Sequence, residues 1–415
     1  MRILQVNKFL YRRGGAEGYL LDLAEQQRAA GHEVEYFGMS HPDNLPMTYA
    51  EHFPSHVEFE PAPSDPRGRI ELVGRMLWSK QAAAGMSAVL ADFRPDVVHM
   101  HNIYHQLSPS MIRACAKAGV PVVMTLHDYK LACPTYQFLD QGQVCTACIG
   151  GSLTQAVKRR CKDGSLAAST IAAVEVGVHR KLKAYDPVAR FLCPSAFLRD
   201  QMIAAGLHTD KMLHLDNFTD TDVPVRDQPG SGVLFAGRLS QEKGVDTLIE
   251  AAAILAPEVD GRVLDVVGDG PQRAEWEALA DRVAPGAVRF HGRVSAEEVR
   301  TLLRGSRVSA ITSRWYENQP LSVLEAFASG VPVVGTAMGG LNDLITPGVD
   351  GDLVPADDPV ALAAALRPYL LDPELSQRHG AAARERALAR HNPVSHAQRL
   401  TEIYREAIAA EARAS

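Results

Sequence analysis

One pattern constrains the fold of this chain more than any other: short apolar runs rich in β-branched residues alternate with longer amphipathic segments along most of its length. In the first half the runs include RILQVN (Arg2–Asn7), DVVHMHN (Asp96–Asn102), PVVMTLHD (Pro121–Asp128) and RFLCPS (Arg190–Ser195). Each run ends in polar residues, as buried strands do when their carboxyl ends form a site. Strands that alternate with helices predict parallel sheets with crossover helices.

The same pattern restarts after a break. The segment NFTDTDVPVRDQPGSG (Asn217–Gly232) has no periodicity and is rich in Asp, Pro and Gly, which is typical of a linker between domains. A chain of 415 residues is too long for one ordinary core. We therefore predict an α/β protein of two Rossmann-like parallel-sheet domains that face a central cleft. Residues 1–216 form the first domain, residues 217–390 form the second, and a C-terminal helix over 391–415 joins the first.

Composition limits the class of protein. Apolar residues make up 46% and charged residues 22% of the chain, as in globular proteins. No apolar run approaches the roughly 20 residues that span a bilayer, and the N-terminal run is too short for a signal peptide. We expect a cytoplasmic protein. The formal net charge of −6 argues against a nucleic-acid partner.

Basic residues are unevenly distributed. Residues 1–216 contain 23 Lys and Arg against 21 Asp and Glu, whereas the remainder contains 20 against 28. Two basic clusters, KRRCK (Lys158–Lys162) and HRKLK (His179–Lys183), lie in the first half. Such clusters are either solvated helix faces or contacts for an anionic lipid or acceptor, and the second interpretation would place the protein peripherally at the inner face of the membrane.

The segment FAGRLSQEKG combines a strand end, two cations and a helix start. The predicted strand ends at Gly237, Arg238 and Lys243 follow in the loop, and Gly244 opens the next helix. A guanidinium, an ammonium and a helix N-terminus that converge form a site for a diphosphate. The alternative is a loop with two solvated basic residues.

The segment RWYENQPLSVLEA places two glutamates around a helix start. Glu317 lies in the loop after the strand VSAITS, Pro320 fits the first turn, and Glu325 lies inside the helix. The N–H groups of Leu321, Ser322 and Val323 would be free to face an anion. We predict that Glu317 binds sugar hydroxyls and Glu325 binds a ribose. Ordinary exposed glutamates are the alternative.

These motifs occur in a recognisable order: GGAE, LHDY, GRLSQEKG, VVGDGP, FHGRV and ENQPLSVLEA. In this order, over nearly the whole chain, the sequence resembles the retaining glycosyltransferases of family 4, which have the GT-B fold. The Gly-Arg-x4-Lys-Gly and Glu-x7-Glu segments are the most specific marks of the resemblance.

The resemblance implies roles for particular residues. It assigns the donor diphosphate to Arg238 and Lys243, the donor sugar and ribose to Glu317 and Glu325, and a position near the transferring sugar to His127. The strand-end histidines His99 and His101 are candidates for acceptor contacts. The other residues expected to bind the donor are Gly14, Gly15, Gly237, Gly268, Gly270, Arg293, Val294, Asn318, Leu321 and Ser322.

The resemblance also implies a mechanism and partners. The anomeric configuration would be retained without a protein nucleophile, and Arg238 and Lys243 would replace a divalent metal, so no cofactor is expected for catalysis. The donor is expected to be a UDP-sugar or a GDP-sugar. A glycan, a lipid-linked intermediate and a small metabolite remain open as acceptors, with polysaccharide or glycoconjugate biosynthesis as the expected setting.

Four of the six cysteines are clustered. Cys133, Cys145, Cys148 and Cys161 have the spacing C-x11-C-x2-C-x12-C, which includes a metal-binding Cys-x-x-Cys knuckle. We predict a structural zinc site; a disulfide or redox pair and unconnected thiols are the alternatives. Cys115 and Cys193 are expected to be small buried hydrophobes.

Two other functions remain open. One is a nucleotide-sugar epimerase or hydrolase with the same fold, and the other is a non-catalytic zinc-containing binding module. The complete set of predicted donor residues favours a transferase over both.

Overall fold

The computed structural model describes residues 1–57, 65–228, 230–259, 261 and 263–414. Within these ranges, no helix combines the length and the apolar character needed to cross a membrane. The strands, in chain order, are β1 (Arg2–Val6), β2 (Glu33–Phe37), β3 (Val97–Met100), β4 (Val122–Thr125), β5 (Leu139–Asp140), β6 (Gln143–Val144), β7 (Val188–Cys193), β8 (Met212–His214), β9 (Val233–Ala236), β10 (Leu264–Val267), β11 (Val288–Gly292), β12 (Val308–Ile311), β13 (Val333–Thr336) and β14 (Gly351–Val354).

Helices connect most of these strands. In chain order they are α1 (Gly15–Ala29), α2 (Pro66–Leu77), α3 (Lys80–Phe93), α4 (Ser110–Lys117), α5 (Thr154–Lys158), α6 (Leu166–Lys181), α7 (Ala196–Ala204), α8 (Val245–Leu255), α9 (Arg273–Val283), α10 (Ala296–Arg304), α11 (Leu321–Ala328), α12 (Leu341–Leu344), α13 (Pro359–Leu371), α14 (Pro373–Arg390) and α15 (Pro393–Ala414).

The chain divides into two compact units. Unit 1 contains Met1–Gln137, Thr146–Leu215 and Val394–Ser415, and unit 2 contains Phe138–Cys145 and Asp216–Pro393. The chain passes from unit 1 to unit 2 between Leu215 and Asp216, one residue before the predicted boundary, and Val394–Ser415 of the C-terminal segment cluster with unit 1. The assignment of the β5–β6 hairpin to unit 2 was not predicted.

Each unit is built on one six-stranded parallel sheet. The strand order is β2-β1-β3-β4-β7-β8 in unit 1 and β11-β10-β9-β12-β13-β14 in unit 2. In unit 1 the strand order reverses between β1 and β3, and in unit 2 it reverses between β9 and β12. Ligands of open parallel sheets bind outside the carboxyl ends of the strands at such a reversal. We therefore expect ligand-binding sites at the two reversals.

The core of unit 2 follows from the period-2 geometry of its strands. Val233 and Phe235 of β9 pack in one apolar cluster, and Leu234 between them packs in another. Alternate side chains of a strand point to opposite faces, so these two clusters cover the two faces of the sheet. A central strand buried on both faces explains the unbroken apolar run VLFA.

The predicted linker over residues 217–232 is largely a fixed part of unit 2. The buried Arg226 guanidinium donates to the carbonyls of Ser306, Arg307 and Ser376. The His391 ring contacts the carbonyl of Asn217 at 2.9 Å. The segment lacks periodicity because long-range side-chain bonds hold it, rather than a helix or a strand.

A buried ion pair joins three elements of unit 1. The Lys130 ammonium donates to Glu175 Oε2 at 2.6 Å and to the Pro134 carbonyl at 2.9 Å, and His105 Nδ1 lies 3.1 Å from Glu175 Oε1. Burial opposes ionisation of Glu175, but Lys130 and His105 outweigh burial and lower the pKa of its carboxyl to about 2. This carboxylate is charged in the folded protein.

We expect Lys130→Met to destabilise unit 1 by about 3 kcal/mol at pH 7, because Glu175 would keep a buried charge without its main partner. The native pair stabilises the fold above the ordinary Glu pKa of 4.5 and loses this effect as the pH falls toward 2. The penalty of the variant should therefore shrink in melting curves recorded at pH 4 or below. Lys117→Met, at an exposed position of α4, is the matched control. A penalty that does not depend on pH would contradict this account.

Candidate active site

The loops after β9 and β12 meet at the strand-order reversal of unit 2. Gly244 caps α8 with a φ of +61°, and a Cβ atom at this position would lie 2.3 Å from the Thr312 carbonyl oxygen. The Thr312 hydroxyl donates to the carbonyl of Lys243 at 2.9 Å. Glycine is required here because the two loops approach so closely and because the backbone is left-handed. This close approach brings Lys243 toward the loop that contains Glu317.

Glu317 accepts three hydrogen bonds at one oxygen. Lys243 Nζ donates to Oε1 at 2.6 Å, Trp315 Nε1 donates to it at 2.8 Å, and the Ser313 hydroxyl donates as well. Glu317 is only 5% exposed. A buried carboxylate is stable only when it is paired in this way, so the pair fixes the position of the lysine as well as that of the glutamate.

The environment keeps Glu317 ionised. Burial alone would raise the pKa of its carboxyl, but the Lys243 charge and the hydrogen bonds from Lys243, Ser313 and Trp315 together lower the pKa below its ordinary value. Lys243 Nζ also lies 5.2 Å from the centroid of the Trp315 ring, where a cation is attracted to the π-system. In the part of the chain that the structure describes, Glu317 is the single hydrogen-bond partner of this ammonium, which leaves two N–H donors for a ligand.

Sequence reasoning missed Ser313 and Trp315, the two other partners of Glu317. One signal in the sequence supports the special position of Lys243: it is the only lysine after Lys211, in a half of the chain that otherwise uses arginine for its positive charge. At a solvated surface position, lysine and arginine could replace each other. Beside a buried carboxylate, the compact ammonium of lysine cannot simply be replaced by the larger guanidinium of arginine.

Arg238 lies in the same loop as Lys243. Its side chain is exposed, and among the residues that the structure describes its guanidinium has no hydrogen-bond or ion-pair partner. The unpaired Arg238 guanidinium is close in sequence to the Lys243 ammonium, which still has N–H donors available. Two such cations are suitable binding groups for a phosphate or a diphosphate.

The predicted glycines Gly268 and Gly270 have a structural role at this loop. A Cβ atom on Gly268, whose φ is +131°, would lie 1.8 Å from the Gly237 carbonyl oxygen. A Cβ atom on Gly270 would lie 2.2 Å from the carbonyl oxygen of Leu239. Both glycines thus let the turn after β10 pack on the backbone around Arg238. Contact with a nucleotide, which we predicted for them, stays a prediction.

The helix α11 begins one residue later than we predicted. Pro320 is extended at the N-cap and α11 starts at Leu321, so the proline precedes the first turn. Val323 N–H donates to the Pro320 carbonyl and is not available to a ligand, contrary to our prediction. The N–H groups of Leu321 and Ser322 have no acceptor within the described ranges of the chain.

The remaining predicted donor residues of unit 2 lie on exposed or partly exposed positions. Glu325 is exposed on α11, Asn318 is partly exposed beside Glu317, and Arg293 is exposed directly after β11. Val294 packs against the apolar cluster that contains Phe327. Their contacts with a donor stay predictions.

In unit 1, Gly14 and Gly15 follow β1 at the strand-order reversal, as we predicted. Gly14 caps α1 with a φ of −162°, an extended conformation that any residue adopts. A Cβ atom there would approach Glu17 Oε2 no closer than 3.4 Å. The fold of unit 1 therefore does not require glycine at position 14, and the contact of Gly14 with a donor stays a prediction.

The three predicted histidines of unit 1 lie together. His101 Nδ1 lies 2.9 Å from His127 Nε2, and the rings of His99 and His101 are 4.3 Å apart between centroids. His99 and His101 are fully buried, whereas His127 is partly exposed. Burial lowers the pKa of all three imidazoles, that of His127 to about 4, so the rings are neutral at pH 7. Full burial makes His99 and His101 unsuitable for direct acceptor contact and corrects that prediction.

A second polar group beside His127 was missed. Asp128 accepts a hydrogen bond from the Tyr104 hydroxyl at 2.7 Å and one from Lys130 N–H at 2.9 Å. Burial raises the pKa of the Asp128 carboxyl despite these bonds and the nearby Lys8 charge. The polar residue that ends the run PVVMTLHD could have indicated this group.

The four clustered cysteines do not form a metal site in this structure. Cys145 belongs to unit 2, whereas Cys133, Cys148 and Cys161 belong to unit 1. In the described ranges no group of three or more His, Cys, Asp or Glu side chains could hold a metal ion, and none of the cysteines forms a disulfide. The donor set thus does not fit zinc here, and the zinc site stays a prediction without structural support. Cys115 and Cys193 are buried, as expected.

The basic cluster His179–Lys183 is mostly explained by the fold. His179, Arg180 and Lys181 form the last turn of α6, where positive charge complements the helix dipole, and Lys183 follows the helix. Arg180 donates to the Leu131 carbonyl at 2.9 Å, and His179 Nε2 lies 2.9 Å from the Leu77 carbonyl oxygen. A cavity of about 420 Å³ lies beside this turn.

Comparison with solved structures agrees with this architecture. Sucrose-phosphate synthase from Thermosynechococcus elongatus has a TM-score of 0.71 and 21% identity, with 99% of each chain covered. Anabaena HepE in complex with UDP has a TM-score of 0.69 and 20% identity, with 98% of this chain and 100% of that chain covered. The chain therefore has the GT-B fold of glycosyltransferases, which confirms the predicted fold class.

Sequence comparison then identifies the family. Residues 13–223, about half of the chain, match the model of Glycosyltransferase Family 4, and residues 220–386 match that of Glycosyl transferases group 1. The chain belongs to glycosyltransferase family 4.

The relatives that match in sequence include proteins named for an activity. A D-inositol 3-phosphate glycosyltransferase of Streptomyces scabiei is 28% identical over 388 residues, which are 89% of this chain and 81% of the relative. A glycogen synthase of Mycobacterium tuberculosis is 37% identical over 157 residues, and the match spans 37% of each protein. The chain thus spans little more than a third of the length of this second relative.

We expect Lys243→Met to destabilise unit 2 by about 3 kcal/mol, because Glu317 would keep a buried charge without its cation. Adding Glu317→Gln to this variant should restore most of the loss, since the neutral amide needs no counter-charge. A double-mutant cycle on the melting of unit 2 measures this coupling. Arg282→Met, at an exposed position of α9, is the control. Strictly additive effects of the two substitutions would show that the pair contributes nothing to the fold.

Proposed function

We propose that this glycosyltransferase retains the anomeric configuration and moves a hexose from a nucleotide diphosphate sugar to a hydroxyl group of its acceptor. The observation that carries the proposal is the arrangement of Lys243, Glu317 and Arg238 at the strand-order reversal of unit 2. Two cations with unused donors suit a diphosphate, and an ionised carboxylate beside them suits sugar hydroxyls.

The chemistry assigned to these residues is electrostatic. The bond between the anomeric carbon and the diphosphate oxygen breaks, and its electron pair remains on the diphosphate. The acceptor oxygen bonds to the anomeric carbon on the same face, and its proton passes to the leaving diphosphate oxygen. Arg238 and Lys243 stabilise the charge that grows on the diphosphate, which is the part of the reaction where fixed charges contribute most.

UDP is the first nucleotide to test, because the similar HepE structure contains UDP; GDP is the alternative.

A lipid-linked acceptor is favoured by the surface of unit 1. Ile70 of α2 and Leu166 and Val174 of α6 expose apolar side chains, and the same unit exposes the basic residues Arg159 and Arg160 between α5 and α6. A glycan and a small metabolite are the other acceptors, and the biosynthesis of a polysaccharide or glycoconjugate is the setting that we propose. With a lipid-linked acceptor, the location that we propose is the cytoplasm, at the inner face of the membrane.

The proposal predicts acceptor-dependent release of the nucleotide. UDP-sugars and GDP-sugars are first ranked by the rise in melting temperature that they cause. The ranked donors are then incubated with lipid-linked, glycan and small-molecule acceptors, and released nucleotide and the anomeric configuration of the product are measured. Release only with acceptor and a retained anomer are expected. Release without acceptor, or an inverted anomer, would contradict the proposal.

In the same assay, Arg238→Ala should lower kcat about a hundredfold, or about 3 kcal/mol, because one charged contact to the leaving group is lost. Arg282→Ala, which removes another exposed guanidinium of unit 2, should leave kcat unchanged. Equal rates for the two variants would remove Arg238 from the site.

A further inference from the structure

A continuous chain of hydrogen bonds runs through the interior of unit 1 and ends at His127. All its members except His127 are less than 3% exposed. Listed from one end to the other, they are His127, His101, Gln5, Gln27, Tyr404, His99 and Thr125. We call this set the His127 relay. A buried polar group destabilises the folded state unless it forms hydrogen bonds. Here the hydrogen-bond partners lie on or directly after β1, α1, β3, β4 and α15.

The two glutamines give the relay a direction. Gln27 Nε2 donates to the Tyr404 hydroxyl oxygen at 3.0 Å, so the hydroxyl hydrogen of Tyr404 is left for His99 Nδ1 at 2.7 Å. Gln27 Oε1 accepts from Gln5 Nε2 at 2.8 Å. The Gln5 side-chain amide has one donor group, its NH2, and one acceptor, its carbonyl oxygen. Because the NH2 group donates to Gln27, the carbonyl oxygen faces His101.

The direction then determines which nitrogen of His101 and of His127 is protonated. Gln5 Oε1 lies 2.9 Å from His101 Nε2 and can only accept, so His101 Nε2 holds the hydrogen. In a neutral imidazole the other nitrogen is an acceptor, so His101 Nδ1 accepts from His127. His127 Nε2, 2.9 Å away, is therefore protonated, and Nδ1 of His127 is the acceptor that remains.

We propose that Gln5 is a positioning residue for His127: through His101 it fixes the His127 imidazole in the Nε2–H tautomer and leaves Nδ1 to accept a hydrogen bond from a hydroxyl of the transferring sugar. The second part rests on the proposed function. Gln5 itself is fully buried and acts only through His101. A ring held in one tautomer recognises a hydroxyl donor without first having to reorganise.

The tautomer can be measured without any substrate. In full-length protein with 15N-labelled histidine, long-range 1H–15N correlation spectra distinguish a protonated from an unprotonated ring nitrogen, and His127→Gln identifies the signals of His127. We expect Nε2 of His127 to be protonated and Nδ1 unprotonated at pH 7. In Gln5→Leu, which keeps similar volume but cannot accept from His101, we expect a mixture of both tautomers.

Two further variants separate positioning from general packing. Tyr404→Phe removes only the hydroxyl that orients Gln27, and it should shift the tautomer ratio in the same direction as Gln5→Leu. Tyr369→Phe is the matched control, because Tyr369 is also fully buried and its hydroxyl bonds Asp352 and His379 in unit 2. If Gln5→Leu does not fold, Tyr404→Phe alone decides.

The result that overturns the inference is a His127 protonated on Nδ1, or one whose tautomer is the same in all variants. With the donor and acceptor found by the release assay, kcat of Gln5→Leu should fall roughly tenfold, the effect of one lost hydrogen bond, while KM for the donor changes less. Absence of any transfer would contradict the proposed function and leave the tautomer result standing. Transfer with an unaltered tautomer would contradict only the inference.

Discussion

The buried carboxylate of Glu317 is the constraint on which the donor half of this protein depends. A charged group at this depth persists only with a cation and further donors, and Lys243, Ser313 and Trp315 supply them. Because Lys243 follows β9 and Glu317 follows β12, their pairing joins the two loops at the strand-order reversal. The left-handed Gly244, packed against Thr312, permits this approach. The backbone of Glu317 is held as well, since its carbonyl accepts from Gly340 N–H at 2.7 Å.

In unit 1, neutral groups rather than charged ones hold the candidate site residue His127 in place. His127 is held by imidazoles, amides and hydroxyls whose donors and acceptors alternate, and no full charge is needed in the relay. One member of the relay, Tyr404, comes from the C-terminal helix α15, so we propose that a residue near the end of the chain helps to determine the protonation pattern of a residue that follows β4. In unit 2 charge positions the site residues, whereas in unit 1 directional hydrogen bonds do.

Much of this could be predicted from the sequence, because it depends on local pattern. The run VSAITS predicted β12, a C-terminal helix was predicted where α15 lies, and GRLSQEKG predicted the loop with Arg238 and Lys243. What could not be predicted depends on distant partners. Trp315 and Ser313 look like ordinary loop residues until the pairing of Glu317 is known, and Gln5 and Tyr404 are separated by almost the whole chain. The cysteine spacing is a local pattern that does not determine which unit each thiol belongs to, and the zinc site stays a prediction. The strand β8 and the β5–β6 hairpin are too short to give a periodic signal.

The central claim is that the cations at the strand-order reversal of unit 2 hold the diphosphate of the donor. A crystal structure of the protein with bound UDP tests it most directly. The account predicts diphosphate oxygens within about 3.2 Å of both Lys243 Nζ and the Arg238 guanidinium, with the Lys243–Glu317 pair intact. UDP bound with its diphosphate away from both side chains would contradict the account.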